Sequence, residues 1–228
     1  MKGLAMGKLG TLTIGQAPRA DITPILDAVL APGLPRLHAG VLDGLSQDQI
    51  TNDFAPEPGG ALLITKLLDG TSVVIDRRRT ERAAQAKLAM LEEAGCTTIL
   101  MLCTGHFASL ATKRARLIEP DRILPPTVAA LVQDAQLGII VPLAEQIASE
   151  AGKWTPLACS PIYAAASPYG GDSLSVAAAA QDLAERGAQI LLMDCMGFVE
   201  RHRQEAATAG LPVILSNALI AKIVSEVV

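Results

Sequence analysis

The chain has 228 residues, half of them hydrophobic and 18% charged, and 19 basic against 23 acidic residues leave a formal net charge of -4. High apolar content with so small a net charge excludes intrinsic disorder, and the mildly acidic balance offers no electrostatic footprint for nucleic acid or an anionic membrane surface. With only one Trp, two Tyr and three Phe, base stacking is a poor basis for function, and the core must be built from Leu, Ile, Val and Ala, which suits a layered α/β protein.

The elements follow in chain order. The apolar run Leu9 to Ile14 reads as a buried strand that ends at Gly15 and Pro18. Asp21 is placed to cap a helix over about Pro24 to Leu30, stopped by Pro32, Gly33 and Pro35, and a short strand follows through Leu37 to Leu42. Ser46 to Gly60, with Pro56, Pro58 and paired glycines, reads as mostly loop. Ala61–Leu68 and Ser72–Ile75 flank an Asp69-Gly70 turn signal and predict a hairpin feeding a polar helix from about Arg77 to Ala94. Gly95 ends that helix, and Thr98 to Leu102 is the next buried strand.

After a break at Pro120, Pro125 and Pro126, a helix runs to about Gln133, then a strand over Leu137–Val141 and a helix from Pro142 or Leu143. Pro156–Gly171 reads as strand and loop, and Ser173–Glu185 as an alanine-rich helix closed by Gly187. The chain ends with strand Gln189–Met193, a helix from about Phe198, strand Val213–Leu215 and a helix near Ala218–Val227. This alternation predicts parallel sheets with helices on both faces. No targeting segment is readable: Lys8 and three glycines break the apolar stretch of MKGLAMGKLGTLTIG, and runs such as Leu137–Leu143 are too short to cross a bilayer. Cys96, Cys103, Cys159 and Cys195 read as free thiols of a cytoplasmic protein, because a chain of this size needs no disulfide.

An internal echo is the most informative feature. EAGCTTILMLCTGHF at 93–107 and ERGAQILLMDCMGF at 185–198 both place an apolar strand after Glu-x-Gly, a cysteine eight residues beyond the glycine, and x-Gly after the cysteine. A weaker echo pairs LGTLTI at 9–14 with LGIIVP at 137–142. Such echoes describe two similar half-domains with a cleft between the carboxyl ends of their strands. Cys103 and Cys195 then stand at equivalent strand ends, and two thiols on opposite walls form a two-base pair: one removes a proton from a carbon acid and the other returns one to the opposite face. The plain alternative is a pair of buried core cysteines. No Cys-x-x-Cys occurs and His38, His106 and His202 are scattered, which speaks against zinc and dithiol redox chemistry. GxGxxG is absent and Gly15-Gln-Ala-Pro is no phosphate cradle.

TIGQAPRADI at 13–22, DRRRTER at 76–82, LMLCTGHF at 100–107, RILPPTVAALV at 122–132, GIIVPLAEQ at 138–146, LLMDCMGFVERHR at 191–203 and LPVILSNALIAK at 211–222 resemble the AroM family, which is similar in turn to the aspartate/glutamate racemase superfamily. The resemblance implies an α/β fold of two pseudo-symmetric three-layer αβα domains with mainly parallel sheets. Residues 1–118 with 211–228 would form the first half and 119–210 the second. It implies no cofactor and no metal, and its racemases use two cysteines, which carry over to Cys103 and Cys195. Where such racemases often have Asn-Thr and Thr-Glu after the two cysteines, this chain has Thr104-Gly105 and Met196-Gly197, which puts amino-acid substrates in doubt.

Supporting residues follow from position. Gln16 after the first strand could orient substrate, and Arg19 could pair with a carboxylate through its guanidinium fork. Arg77, Arg78 and Arg79 open a helix, an unfavourable place for positive charge that an anionic ligand would explain; Arg78 is the candidate. Thr104 and Gly105 adjoin Cys103, His106 could activate it or bind a carboxylate, and Met196 and Gly197 adjoin Cys195. Asp194 would oppose a thiolate at Cys195 if close and unpaired. Pro142 suits the first turn of the helix expected after its strand, and Asn217 reads as a helix cap.

The leading expectation is a cofactor-independent racemase, epimerase or isomerase of a small carboxylate-bearing carbon acid. The alternatives are a malonate-type decarboxylase, needing one thiol, and a non-catalytic small-carboxylate binding or regulatory protein. The expected partner is the small carboxylate, without nucleic acid or membrane, and the apolar composition is compatible with a homo-oligomer.

Overall fold

The computed structural model describes residues 7–170 and 174–228. The first six residues of the opening segment, the helix start expected at Ser173 and the loop end expected at Gly171 lie outside the described residues. The chain divides into two units, one running through Cys103 with Phe107–Glu119 and Ala221–Val228, the other comprising Thr104–His106 and Pro120–Ile220.

The first unit contains β1 (Lys8–Thr13), α1 (Thr23–Asp27), β2 (Arg36–Gly40), α2 (Gln47–Phe54), β3 (Leu62–Lys66), β4 (Ser72–Asp76), α3 (Arg77–Glu93), β5 (Cys96–Leu102) and β6 (Arg116–Ile118). Four strands form a parallel sheet in the order β2-β1-β5-β6, while β3 and β4 make a separate antiparallel hairpin. Thr80, Ala84, Leu88 and Leu91, spaced to share one face of α3, are buried, and the helix packs on β1, β2 and β5.

The second unit contains α4 (Pro120–Val132), β7 (Leu137–Val141), α5 (Gln146–Glu150), a short 3-10 helix (Ala151–Trp154), β8 (Ile162–Ala165), α6 (Val176–Glu185), β9 (Ile190–Met193), α7 (Glu200–Ala207), β10 (Val213–Leu215) and the start of α8 (Ser216–Ser225). Its sheet is again four-stranded and parallel, in the order β8-β7-β9-β10. Helix α6 packs on β7 and β8, and α7 lies beside it on β10.

Numbered by their own succession, the strands of both sheets run 2-1-3-4. The echoes of the sequence fall on matching strands. Gly10 of β1 pairs with Ile99 of β5, and Gly138 of β7 pairs with Leu191 of β9. A side chain at Gly10 would press on Cys96 and Ile99, and one at Gly138 on Leu191, Ala188 and Leu183, so each glycine lets its sheet close against its neighbours. Cys103 lies four positions past Ile99, and Cys195 four past Leu191. Gly95 and Gly187, the glycines of the two Glu-x-Gly signals, take positive φ of 85° and 94° directly after the helices that lead into these strands.

The structure departs from the sequence reading at several elements, and Ile22, not Asp21, stands at the start of α1. Ser46 and Gln49 form a capping box for α2, which buries Ile50 and Phe54, inside the stretch expected to be loop. Strand β6 is a three-residue addition that no periodicity announces. Helix α4 begins at Pro120 and runs through Pro125 and Pro126. Helix α5 begins at Gln146, so Pro142 lies in the bend after β7 and not in a helical turn. Finally, β10 hydrogen-bonds to β9, which holds 211–220 in the second unit and not with the first half; only Ala221–Val228 belong with the first.

Candidate functional site

In an open parallel sheet, ligands gather beyond the carboxyl ends of the strands, where neighbouring connections diverge. In the 2-1-3-4 order that point lies between strands 1 and 3: β1 and β5 in the first unit, β7 and β9 in the second. Both cysteines stand there. Leu102 pairs with Thr13, so Cys103 is level with Ile14 just past β1. Met193 pairs with Ile140, and the Asp194 N–H continues the ladder to the Ile140 carbonyl, so Cys195 is level with Pro142.

Cys103 is 7% exposed and belongs to the apolar cluster of the first unit. Cys195 is half-buried, and its Sγ accepts the Gly197 N–H at 3.4 Å. Neither is in a disulfide. A donor aimed at sulfur suits a thiolate better than a thiol. The loop after Cys195 is held from outside: the Asn217 side chain, fully buried in the first turn of α8, donates Nδ2 to the carbonyls of Met196 and Phe198, and Ser216 Oγ donates to the Met193 carbonyl at 2.8 Å. Asn217 is therefore a clamp on the cysteine loop. Met196 and Gly197 are buried in it, and the Tyr169 hydroxyl fills the space that a side chain on Gly197 would need.

Thr104–His106 directly follow Cys103 in the chain but belong to the second unit. There the Thr104 hydroxyl donates to the Asp194 carbonyl at 3.3 Å, and the Thr104 carbonyl accepts from Lys153 Nζ at 2.8 Å. Lys153 Nζ also donates to both carboxylate oxygens of Asp194, at 3.0 and 2.7 Å. The side chains of this pair are 4% and 2% exposed. Burial pulls the Lys153 pKa down, but the charges of Asp194 and Glu150 and the bond to Asp194 outweigh it and hold the ammonium above the ordinary lysine value. The ammonium also sits 5.1 Å from the centre of the Trp154 ring. Burial, with Asp194 and Glu150, pushes the Tyr163 hydroxyl up to about 12. His106 is exposed, and its Nδ1 lies 2.7 Å from Asp121 Oδ2, which gives the ring a carboxylate partner on α4.

The loop after β1 is built by long-range bonds. Asp43 accepts the N–H groups of Ala17 and Gly40 at 2.7 and 2.6 Å. Gln16 donates Nε2 to the carbonyls of Leu42 and Leu45 and accepts the Leu68 N–H, so its amide ties three segments together. Arg19 is buried, with its fork on Asp21 at 2.8 and 2.7 Å and Nη1 3.3 Å from Thr13 Oγ1. Burial raises the Asp21 pKa, but the hydrogen bond and charge of Arg19 dominate and hold it below the usual value. Gln16, Arg19, Asp21 and Lys66 line a cavity of about 130 Å³. Arg78 is exposed on α3; the Asp76 carboxylate caps that helix through the Arg79 N–H, and the Arg79 side chain pairs with Glu57 at 2.9 Å.

Sequence reasoning missed Lys153, Asp43 and Tyr169. The only Trp of the chain, next to a lysine in Gly152-Lys153-Trp154, was the one readable sign of the buried cation. His202 is buried, its Nδ1 accepts the Val199 N–H at 2.9 Å, and its ring meets Phe198 edge-on. Among the described residues no cluster of three or more His, Cys, Asp or Glu is arranged to hold a metal ion, and no helix is long and apolar enough to cross a membrane.

The model of the AroM protein family matches residues 9–228. The chain belongs to the AroM family. No curated protein matches it. Among solved structures, this AroM protein is similar to the allantoin racemase of Klebsiella pneumoniae, with a TM-score of 0.58 and 15% identity over 96% of this chain and 86% of that one. It is similar to the glutamate racemase of Aquifex pyrophilus, with a TM-score of 0.58 and 10% identity over 97% and 84%. An arylmalonate decarboxylase matches with a TM-score of 0.52 and 14% identity over 97% and 91%. At these identities the likeness is one of fold: the AroM chain has the aspartate/glutamate racemase fold.

Proposed function

We propose that this AroM protein is a cofactor-independent racemase, epimerase or related isomerase of a small carboxylate-bearing carbon acid, with Cys103 and Cys195 as acid and base. The observation that carries the reading is the repeated register: in each sheet a cysteine lies four residues past the partner of an equivalent glycine, at the end of the third strand. Racemases of this fold among the solved structures support it.

In the forward step one thiolate takes the proton from the carbon next to the carboxylate, and the electron pair of the C–H bond moves into an enolate. The other thiol then protonates the opposite face, so the configuration inverts and the two thiols exchange protonation states. The substrate carboxylate is assigned to the cavity beyond β1, where Lys66 stands beside the Arg19–Asp21 pair.

A second reading is decarboxylation. Cys195 is half-buried while Cys103 is 7% exposed, an asymmetry that suits one working thiol. In that case a C–C bond breaks, CO2 leaves with the carbon of the lost carboxylate, and Cys195 protonates the remaining enolate. An arylmalonate decarboxylase shares the fold.

The test is a panel of amino acids, hydantoins, malonates and small hydroxy or unsaturated diacids in heavy water, followed by NMR. Deuterium entering at carbon with both stereoisomers appearing is the expected result. CO2 release that survives C103S selects decarboxylation. Saturable carboxylate binding with no turnover across the panel overturns both in favour of a binding protein.

A further inference from the structure

The buried Lys153–Asp194 pair has no part in the chemistry above, yet it touches the chain next to both cysteines. Lys153 Nζ bonds the carbonyl of Thr104, the residue after Cys103, and the carboxylate of Asp194, the residue before Cys195. Thr104 Oγ1 closes the group on the Asp194 carbonyl. A buried carboxylate next to a thiol disfavours the thiolate by like-charge repulsion, and a cation placed on that carboxylate cancels the repulsion.

We propose that Lys153 is a positioning residue that neutralises Asp194, so that Cys195 can ionise beside it, and that fixes the backbone following Cys103 in the same contact. The inference rests on the two-thiol reading of the site. Other ionisable groups around the pair are Glu150 on α5, Asp121 on α4 and Tyr163 on β8. Glu150, Asp121 and Asp194 all carry the sign that Lys153 opposes, and Asp194 is the one it bonds directly. Loss of the lysine leaves the Asp194 carboxylate, on the residue before Cys195, without its ammonium partner. A purely structural brace has no such signed effect on a neighbouring thiol.

The experiment is a charge cycle read by the pH dependence of iodoacetamide alkylation at Cys195, followed by mass spectrometry on the full-length protein. K153M leaves Asp194 unpaired and is expected to raise the alkylation midpoint by about one pH unit, a roughly tenfold slower reaction below the midpoint. D194N leaves Lys153 unpaired and is expected to lower it by a similar amount. The K153M/D194N double variant is expected to return close to wild type. If K153M does not fold, the sign is still read from D194N, whose midpoint must lie below that of the double variant. Two single variants shifting the same way, or folded variants with unchanged midpoints, overturn the proposal. The cycle needs no substrate: failure of the two-thiol reading shows in turnover by C103S and C195S, and failure of this inference shows only in the thiol titration.

Discussion

Asn217 shows how much of the site depends on single buried hydrogen bonds. Its amide supplies donors to two carbonyls on either side of Gly197, in a place with no exposure to water. Removing it strands both acceptors, at a cost of about 1–3 kcal/mol for a buried unsatisfied group. N217A is therefore expected to lose about 2–3 kcal/mol in urea unfolding, and to speed iodoacetamide reaction at Cys195 as its loop loosens. A loss under about 0.5 kcal/mol, the range of an ordinary surface change, would remove Asn217 from the clamp. Little of this is readable from the residue itself, because a bond to a carbonyl about twenty positions away leaves no spacing in the sequence. Arg19 was readable as a carboxylate partner, but its carboxylate is Asp21, two residues along.

At the scale of elements, the two glycines that open the paired strands are equivalent in topology but not in room. A Cβ on Gly138 would come within 2.9 Å of Leu191 Cδ2 and 3.0 Å of Ala188 Cβ, while one on Gly10 meets Cys96 Sγ and Ile99 Cγ1 at 3.2 Å. Overpacking a core costs about 1–3 kcal/mol, against a gain of about 0.4–1 kcal/mol from stiffening the unfolded chain. G138A is expected to lower the thermal midpoint clearly and G10A to change it little; equal effects would refute the packing account. The loop that leads into β6 depends on Glu92, whose carboxylate accepts the N–H groups of Lys113, Arg114 and Ala115. Those bonds hold its pKa at about 2 against an ordinary 4.5. The carboxylate form is the one the fold favours, so this contribution is complete above about pH 4.5 and is lost as the pH falls toward 2. E92Q is expected to flatten the acid limb of stability between those values and leave neutral-pH stability less sensitive to acid; an unchanged acid limb would show that the bonds carry no linkage.

For the whole molecule, the alternation of strands and helices, the hairpin and both strand-end cysteines were legible, because burial of both sheet faces writes continuous apolar runs and helix ends write Glu-x-Gly. The repeat was legible as well, since the same register needs a small residue and a strand-end cysteine at matching places. Other features were hidden for physical reasons. The capping box of α2 was in plain view at Ser46 and Gln49, but Pro56, Pro58 and the paired glycines next to it outweighed it. The unit owning 211–220 was not legible, because β10 is placed by its bonds to β9 and not by its own three residues. Exposure also reorders the thiols: Cys159 is exposed, and Cys96 is buried with its pKa pushed up by burial. Reactivity set by access alone puts Cys159 first, so a Cys195 that is alkylated faster than Cys159 at neutral pH is the expected mark of a working thiol.

The two-thiol claim is tested most directly by following hydrogen exchange at the reacting carbon in heavy water from each enantiomer of the turned-over substrate separately, with wild type, C103S, C195S and the double serine variant. The account predicts that wild type exchanges and interconverts both enantiomers, and that either single substitution ends interconversion. Interconversion that persists in the double variant would contradict it.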